Sequence, residues 1–233
     1  MQILESSVMG LRTARLSLRN PRSDVRITLF PMTHVGEPDF FQKVYADAFS
    51  HDVVLVEGVR SPIVRRITRS YRWIKGSKRM NLVIQSAFPS QANSHARIVH
   101  ADLSGEEFAQ LWRNVPLRVR AFGFVAAPLI GLRRRWFGTR TSLAKGQSLD
   151  DLPDRKEILR FHPETIALTE AVIHARDARL VARLGEELDN PTTGAQRLAI
   201  VYGAGHMRAV LRELLQRRGY RVEKGEWLTI FST

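Results

Sequence analysis

Four residues of this 233-residue chain stand where a short apolar run gives way to a helix or a turn: His34, Glu57, Asp102 and His206. The runs before them are rich in β-branched residues: Ile27 to Met32, Val53 to Val56, Ile98 to Ala101 and Leu198 to Tyr202. Parallel strands joined by helices bring such ends to one edge of a sheet, where α/β proteins build their sites. Two neutral imidazoles and a carboxylate suit a borderline divalent ion (Mn, Co, Fe or Zn), with positions left open for water. The expected ligand set is therefore His34, Glu57 and His206. An ion held there would lower the pKa of its bound water. Arg176 would stabilise charge developing on a carbonyl or phosphoryl oxygen, with Glu57 and Asp102 in support. Each residue also has an ordinary reading: a hydrogen-bonded histidine at a strand end, or a carboxylate capping a turn.

The elements that must position these residues follow from periodicity. Leu11 to Arg19 and Val25 to Met32 read as two strands joined across Asn20-Pro21-Arg22-Ser23-Asp24. Glu37 and Pro38 open a helix whose apolar residues, Phe40, Phe41, Val44, Tyr45 and Ala48, recur at helical spacing. Ser61-Pro62 opens a basic amphipathic helix running to Lys75, and Ser104-Gly105-Glu106-Glu107 has the spacing of a capping box. Asn81 to Gln85 is ambiguous. A helix is expected from Asp150 to Asp189, with Ile166, Ile173, Leu180 and Leu184 as its inner stripe. Glu170, Arg176 and Asp177 fall on or beside that stripe, which is expensive unless they are paired or functional. The chain ends in a strand to Gly203, a helix, and an expected pair of strands turning at Lys224-Gly225. The predicted fold is α/β: one domain over residues 1–233, with a central, mostly parallel sheet flanked by helices. A basic and apolar insertion or lid is expected at 115–146.

Composition narrows the function classes. Apolar residues make up 44% and charged residues 25%, an ordinary globular balance. There is no cysteine, which excludes disulfides, thiolate–zinc sites and thiol catalysis. The net charge of +13 is concentrated in two windows, Arg60 to Arg79 and Phe108 to Leu149, each with eight Lys/Arg and no Asp/Glu. The second contains the apolar 12-mer Ala121 to Leu132, too short to span a bilayer. Apolar residues between arginines predict contact with an anionic membrane surface; a lid or a homodimer contact is the alternative. No nucleic-acid module accompanies the charge, so specific nucleic-acid binding is not expected. Gly203-Ala204-Gly205 matches half of a dinucleotide fingerprint, but Arg208 stands where its third glycine belongs. The N-terminus lacks a basic segment followed by an apolar one, which predicts a cytoplasmic protein, peripheral at the inner face of the membrane.

The same segments resemble the TraB/Tiki/GumN family, related to the wider erythromycin-esterase/ChaN-like group. The family pattern has a Gly-x-x-His after the first strand, a strand ending in Glu, an Arg-Asn pair in a long helix and a second Gly-x-x-His. Here these correspond to Pro31 to His34 with proline in the glycine position, Val53 to Val59, Arg176-Asp177 with Asp for Asn, and an intact Gly203-Ala204-Gly205-His206. The resemblance covers roughly residues 25–60, 96–112 and 160–231. It implies metal-dependent hydrolysis of a peptide-like or small-molecule substrate. The alternative it implies is a non-catalytic member that binds or sequesters a peptide or lipid ligand.

Overall fold

A computed structural model describes residues 2–68, 80–89, 95–146, 163–190 and 197–233. Its centre is a parallel sheet of four strands in the order β3 (Ser23–Met32), β8 (Arg197–Gly203), β5 (Val53–Val56), β7 (Arg97–His100). The α/β reading therefore holds. β8 lies between β3 and β5, and both β8 from Leu198 to Tyr202 and β5 throughout are buried. That is why these strands read as continuous apolar runs rather than alternating ones. Helix α1 (Pro38–Ala48) connects β3 to β5 and packs Phe40, Phe41, Val44 and Tyr45 inward.

An antiparallel meander extends the sheet beyond β3. β2 (Gly10–Asn20) pairs with β9 (Arg221–Ser232) along one edge and shares its other edge between β1 (Leu4–Ser7) and β3. The expected turn at Lys224-Gly225 is not there: β9 is one continuous strand, with an irregularity near Glu223 where the register against β2 shifts. Gly225 sits directly across from Leu16, whose side chain covers the space beside it, 3.4 Å from where a Cβ would stand.

Pro31 lies inside β3 without breaking it. Its carbonyl accepts from Thr13 Oγ1 at 2.9 Å, on the β2 side, so its missing N–H faces that side too. The β2–β3 ladder has already ended at Leu29, and Ala14 donates instead to Ile3, the residue before β1. No ladder bond is lost, which is the condition for proline in a strand.

The ambiguous 81–85 segment contains β6 (Val83–Ile84), antiparallel to β4 (Val35–Gly36) in a separate two-stranded sheet. α2 (Pro62–Ile67) begins the basic helix, capped by the Ser61 hydroxyl; its expected continuation through Arg69, Arg72 and Lys75 lies outside the described residues. The capping box at Ser104 opens α3 (Gly105–Arg113) as expected. Residues 115–146 stay off the sheet but are regular: α4 (Leu117–Phe137) contains Pro128, and α5 (Arg140–Lys145) follows.

The long helix is described from Pro163, its expected start at Asp150 lying outside the described residues. It is α6 (Pro163–Thr169), a π-helical turn at Glu170–His174, and α7 (Ala175–Asp189). A π turn adds a residue to the local repeat and rotates everything beyond it by about 100°. Leu180 and Leu184 are fully buried, while Ile166, counted in the same stripe at regular α spacing, is 60% exposed. Finally, a 3₁₀ turn (Ala204–His206) leads from β8 into α8 (Met207–Arg212).

Candidate functional site

The carboxyl ends of β5, β7 and β8 meet the start of α7 in a charged network. Arg176 donates Nε to Asp102 Oδ1 at 3.0 Å and Nη2 to Asp102 Oδ2 at 2.7 Å, a two-pronged pair. The same Nη2 reaches Glu57 Oε1 at 2.5 Å. Backbone N–H groups add one donor to Glu57 and two to Asp102. Gly203 N donates to Glu57 Oε2 at 2.7 Å, Gly58 N to Asp102 Oδ2 at 3.0 Å, and Leu103 N to Asp102 Oδ1 at 2.8 Å. Burial alone would raise the Asp102 pKa. Arg176 and the two N–H donors outweigh it and hold the carboxyl below its ordinary range. Burial likewise works against the Arg176 cation, but Asp102 and Glu57 raise its pKa overall.

Beside this network lies a second one. His206 Nδ1 is 2.7 Å from Asp177 Oδ1, and the His206 ring meets Tyr202 edge-on at 5.0 Å between centroids. The Arg176 guanidinium lies over the Tyr202 ring at 5.7 Å. The Tyr202 phenol is fully buried; burial raises its pKa, and the negative charge of Asp102 raises it further. Gly203 couples the two networks. A Cβ there would stand 3.1 Å from Glu57 Oε2 and 3.4 Å from the His206 ring.

Next to the first network is a cavity of about 380 Å³. Val56, Val59, Val64, Ile67, Phe108 and Val201 are among its apolar walls, and His34, Glu57, Arg176, Thr68, Gln85 and Ser86 carry its polar side chains. It sits between the main core and a smaller one built on Leu103, Phe108, Trp112 and Val115. The segment after β6, Gln85 to Phe88, completes it: Gln85 N donates to the His34 carbonyl at 2.9 Å, bringing Gln85 beside the histidine.

The structure thus brings His34, Glu57 and Arg176 to one cavity and joins Asp102 to them through Arg176. His206 is not among the residues that line it. The expected ion set, His34, Glu57 and His206, does not form a ligand group, and no cluster of three His, Cys, Asp or Glu able to hold an ion occurs among the described residues. Each Glu57 oxygen already accepts one donor, a guanidinium or a backbone N–H, and the Asp177 contact at Nδ1 leaves Nε2 as the His206 atom a ligand could use. Sequence reading missed Tyr202, hidden in an apolar strand, and Gln85, hidden in an ambiguous segment. Asp177 carried a signal, as a charge beside an apolar stripe, but not its partner. Comparison with protein-family models, curated proteins and solved structures finds no match to this chain.

Proposed function

We propose that the cavity takes a small, largely apolar carbonyl compound and hydrolyses it, with His34 as general base. The observation that supports this is the convergence of His34, Glu57 and Arg176 in one apolar-walled cavity at the carboxyl ends of parallel strands, the usual form of a small-molecule site. In the step envisaged, a water oxygen bonds to the carbonyl carbon while its proton passes to the His34 imidazole. The C–O or C–N bond of the ester or amide then breaks, and His34 returns the proton to the leaving group. Arg176, held by Asp102 and Glu57, presents a fixed cation toward the oxygen that gains charge. The step needs no divalent ion.

The test is hydrolysis of p-nitrophenyl butyrate and of an internally quenched peptide by the wild type and by His34→Ala. Turnover reduced about 100-fold or more in the variant supports the base role. Equal turnover removes it. Capture without chemistry is a second reading, favoured by one observation: both Glu57 oxygens are already engaged. It predicts a ligand-induced rise in Tm with no product formed.

A further inference from the structure

α4 is left unexplained by the cavity. Its residues Phe122, Val125, Leu129 and Trp136 are 73%, 62%, 61% and 64% exposed. Their spacings of three, four and seven place them on one side of a helix. The opposite side is the one that packs: Phe124 lies against Trp112, and the Arg66 guanidinium stacks over the Phe124 ring at 5.1 Å. A run of four large apolar side chains facing solvent marks an interaction surface rather than scattered exposure.

Charge decides what covers it. The exposed Arg118 and Arg133 fall on the same side as the stripe and bracket its apolar centre, with Trp136 one turn beyond. Residues 108–149 contain eight basic residues and no acidic one. A second copy of this chain, docked through the same surface, would set these cationic windows against each other. A nucleic acid would pair the arginines but leave the apolar centre against phosphate. An anionic lipid surface meets both, taking the apolar side chains to the acyl boundary and the guanidiniums to the headgroups. No single helix among the described residues is long and apolar enough to cross a membrane. α3 and α4 together have the length and composition of a broken span, bent by 116°, but Phe108 and Trp112 of α3 are buried in the smaller core.

We propose that α4 is an interfacial helix that seats the protein on anionic phospholipid through Phe122, Val125, Leu129 and Trp136, with Arg118 and Arg133 at the headgroups. This is independent of the hydrolytic reading, because its test measures binding alone.

The experiment is flotation of the full chain with vesicles of phosphatidylcholine containing phosphatidylglycerol, and with phosphatidylcholine alone. The wild type should float with the anionic vesicles and far less with the neutral ones. Each arginine contributes about fivefold, so Arg118→Glu/Arg133→Glu should weaken binding about 25-fold or more. Phe122→Ser/Leu129→Ser should lose binding while keeping the wild-type circular dichroism, since neither side chain is in the core. Arg22→Glu/Arg26→Glu makes the same change in total charge at exposed positions elsewhere and should bind like the wild type. Equal flotation on both vesicles overturns the proposal. So does an equal loss in the Arg22/Arg26 variant, which would show attraction to net charge only. So does a dimer in light scattering that Phe122→Ser/Leu129→Ser dissolves, or a bound fraction that alkaline carbonate fails to extract.

Discussion

Arg176 is the residue on which the strand ends depend. Among the described residues it is the cation paired with Asp102, whose side chain is 1% exposed, and it shares its charge with Glu57. Replacing one member of a buried pair costs more than the pair contributes, because the other charge is stranded. Arg176→Gln should therefore lose about 3–5 kcal/mol in urea unfolding. Arg176→Lys should recover only part of it, since an ammonium cannot reproduce the two-pronged fit. The pH dependence has a definite sign. Asp102 titrates below its ordinary 3.8, so its contribution is complete above that pH and is lost as pH falls through the lowered value. Without Arg176, burial dominates and acid unfolding should begin at higher pH. A variant within 1 kcal/mol of wild type would show that the pair does not hold the strand ends. Gly203 gives a sharper separation of roles. Its φ of −52° and ψ of 136° suit any residue, so alanine there is unstrained in backbone. Its Cβ, however, would press on Glu57 and His206. Gly203→Ala should retain most of its stability, within about 1–2 kcal/mol. It should alter ligand binding in the cavity by displacing Glu57, read as a changed Kd or KM.

At the scale of elements, the parallel strands were legible in the sequence because burial on both faces leaves a continuous apolar run. The capping box of α3 was legible because its residues act within one turn. What was not legible depends on distant partners. Gly225 signals a turn locally, yet β2 holds it in a strand. Ile166 keeps perfect spacing with Leu180, yet a π turn between them breaks the phase, and that turn has no sequence signature. The same limit applied to the site. Strand ends announced Glu57, Asp102 and His206, but not that Arg176 would join the first two while Asp177 took the third. α3 also shows how closely elements set the cavity wall. A Cβ on Gly105 would lie 2.4 Å from the Arg60 carbonyl oxygen, in the loop between β5 and α2. Backbone cannot yield as a side-chain tip does, so Gly105→Ala should push that loop away and cost about 1–3 kcal/mol. Equilibrium unfolding should show a lower urea midpoint with an unchanged m-value. A wild-type midpoint would mean that α3 slides without penalty.

Across the whole molecule, the two edges of the parallel sheet are built for opposite responses to protons. The carboxyl edge buries a compensated carboxylate. The amino edge buries a neutral imidazole, His51, which is 6% exposed. Its Nδ1 lies 3.0 Å from the Asp47 carbonyl and its Nε2 2.9 Å from the Thr28 hydroxyl. The carbonyl can only accept, so Nδ1 carries the proton and Nε2 accepts from Thr28. Every hydrogen-bonding group of the neutral ring is thus satisfied. Burial lowers the His51 pKa; the Asp47 carbonyl and charge oppose it, and the nearby Arg197 and Arg15 add smaller lowering effects, so the net shift is downward. The unfolded chain then takes up this proton first. Stability is complete above the ordinary value of 6.5 and falls as pH drops below it, until the folded protein is protonated as well. One such group can impose a slope of up to about 1.4 kcal/mol per pH unit. A net charge of +13 at pH 7 adds self-repulsion as carboxylates protonate, but that effect belongs to a lower pH range. His51→Gln keeps an amide near both partners and removes the titration. Its urea midpoint should therefore change less than that of the wild type between pH 7 and pH 5, while both proteins lose stability together below pH 4. If the two proteins keep parallel profiles from pH 7 to pH 5, His51 is not the group that sets the onset of acid destabilisation.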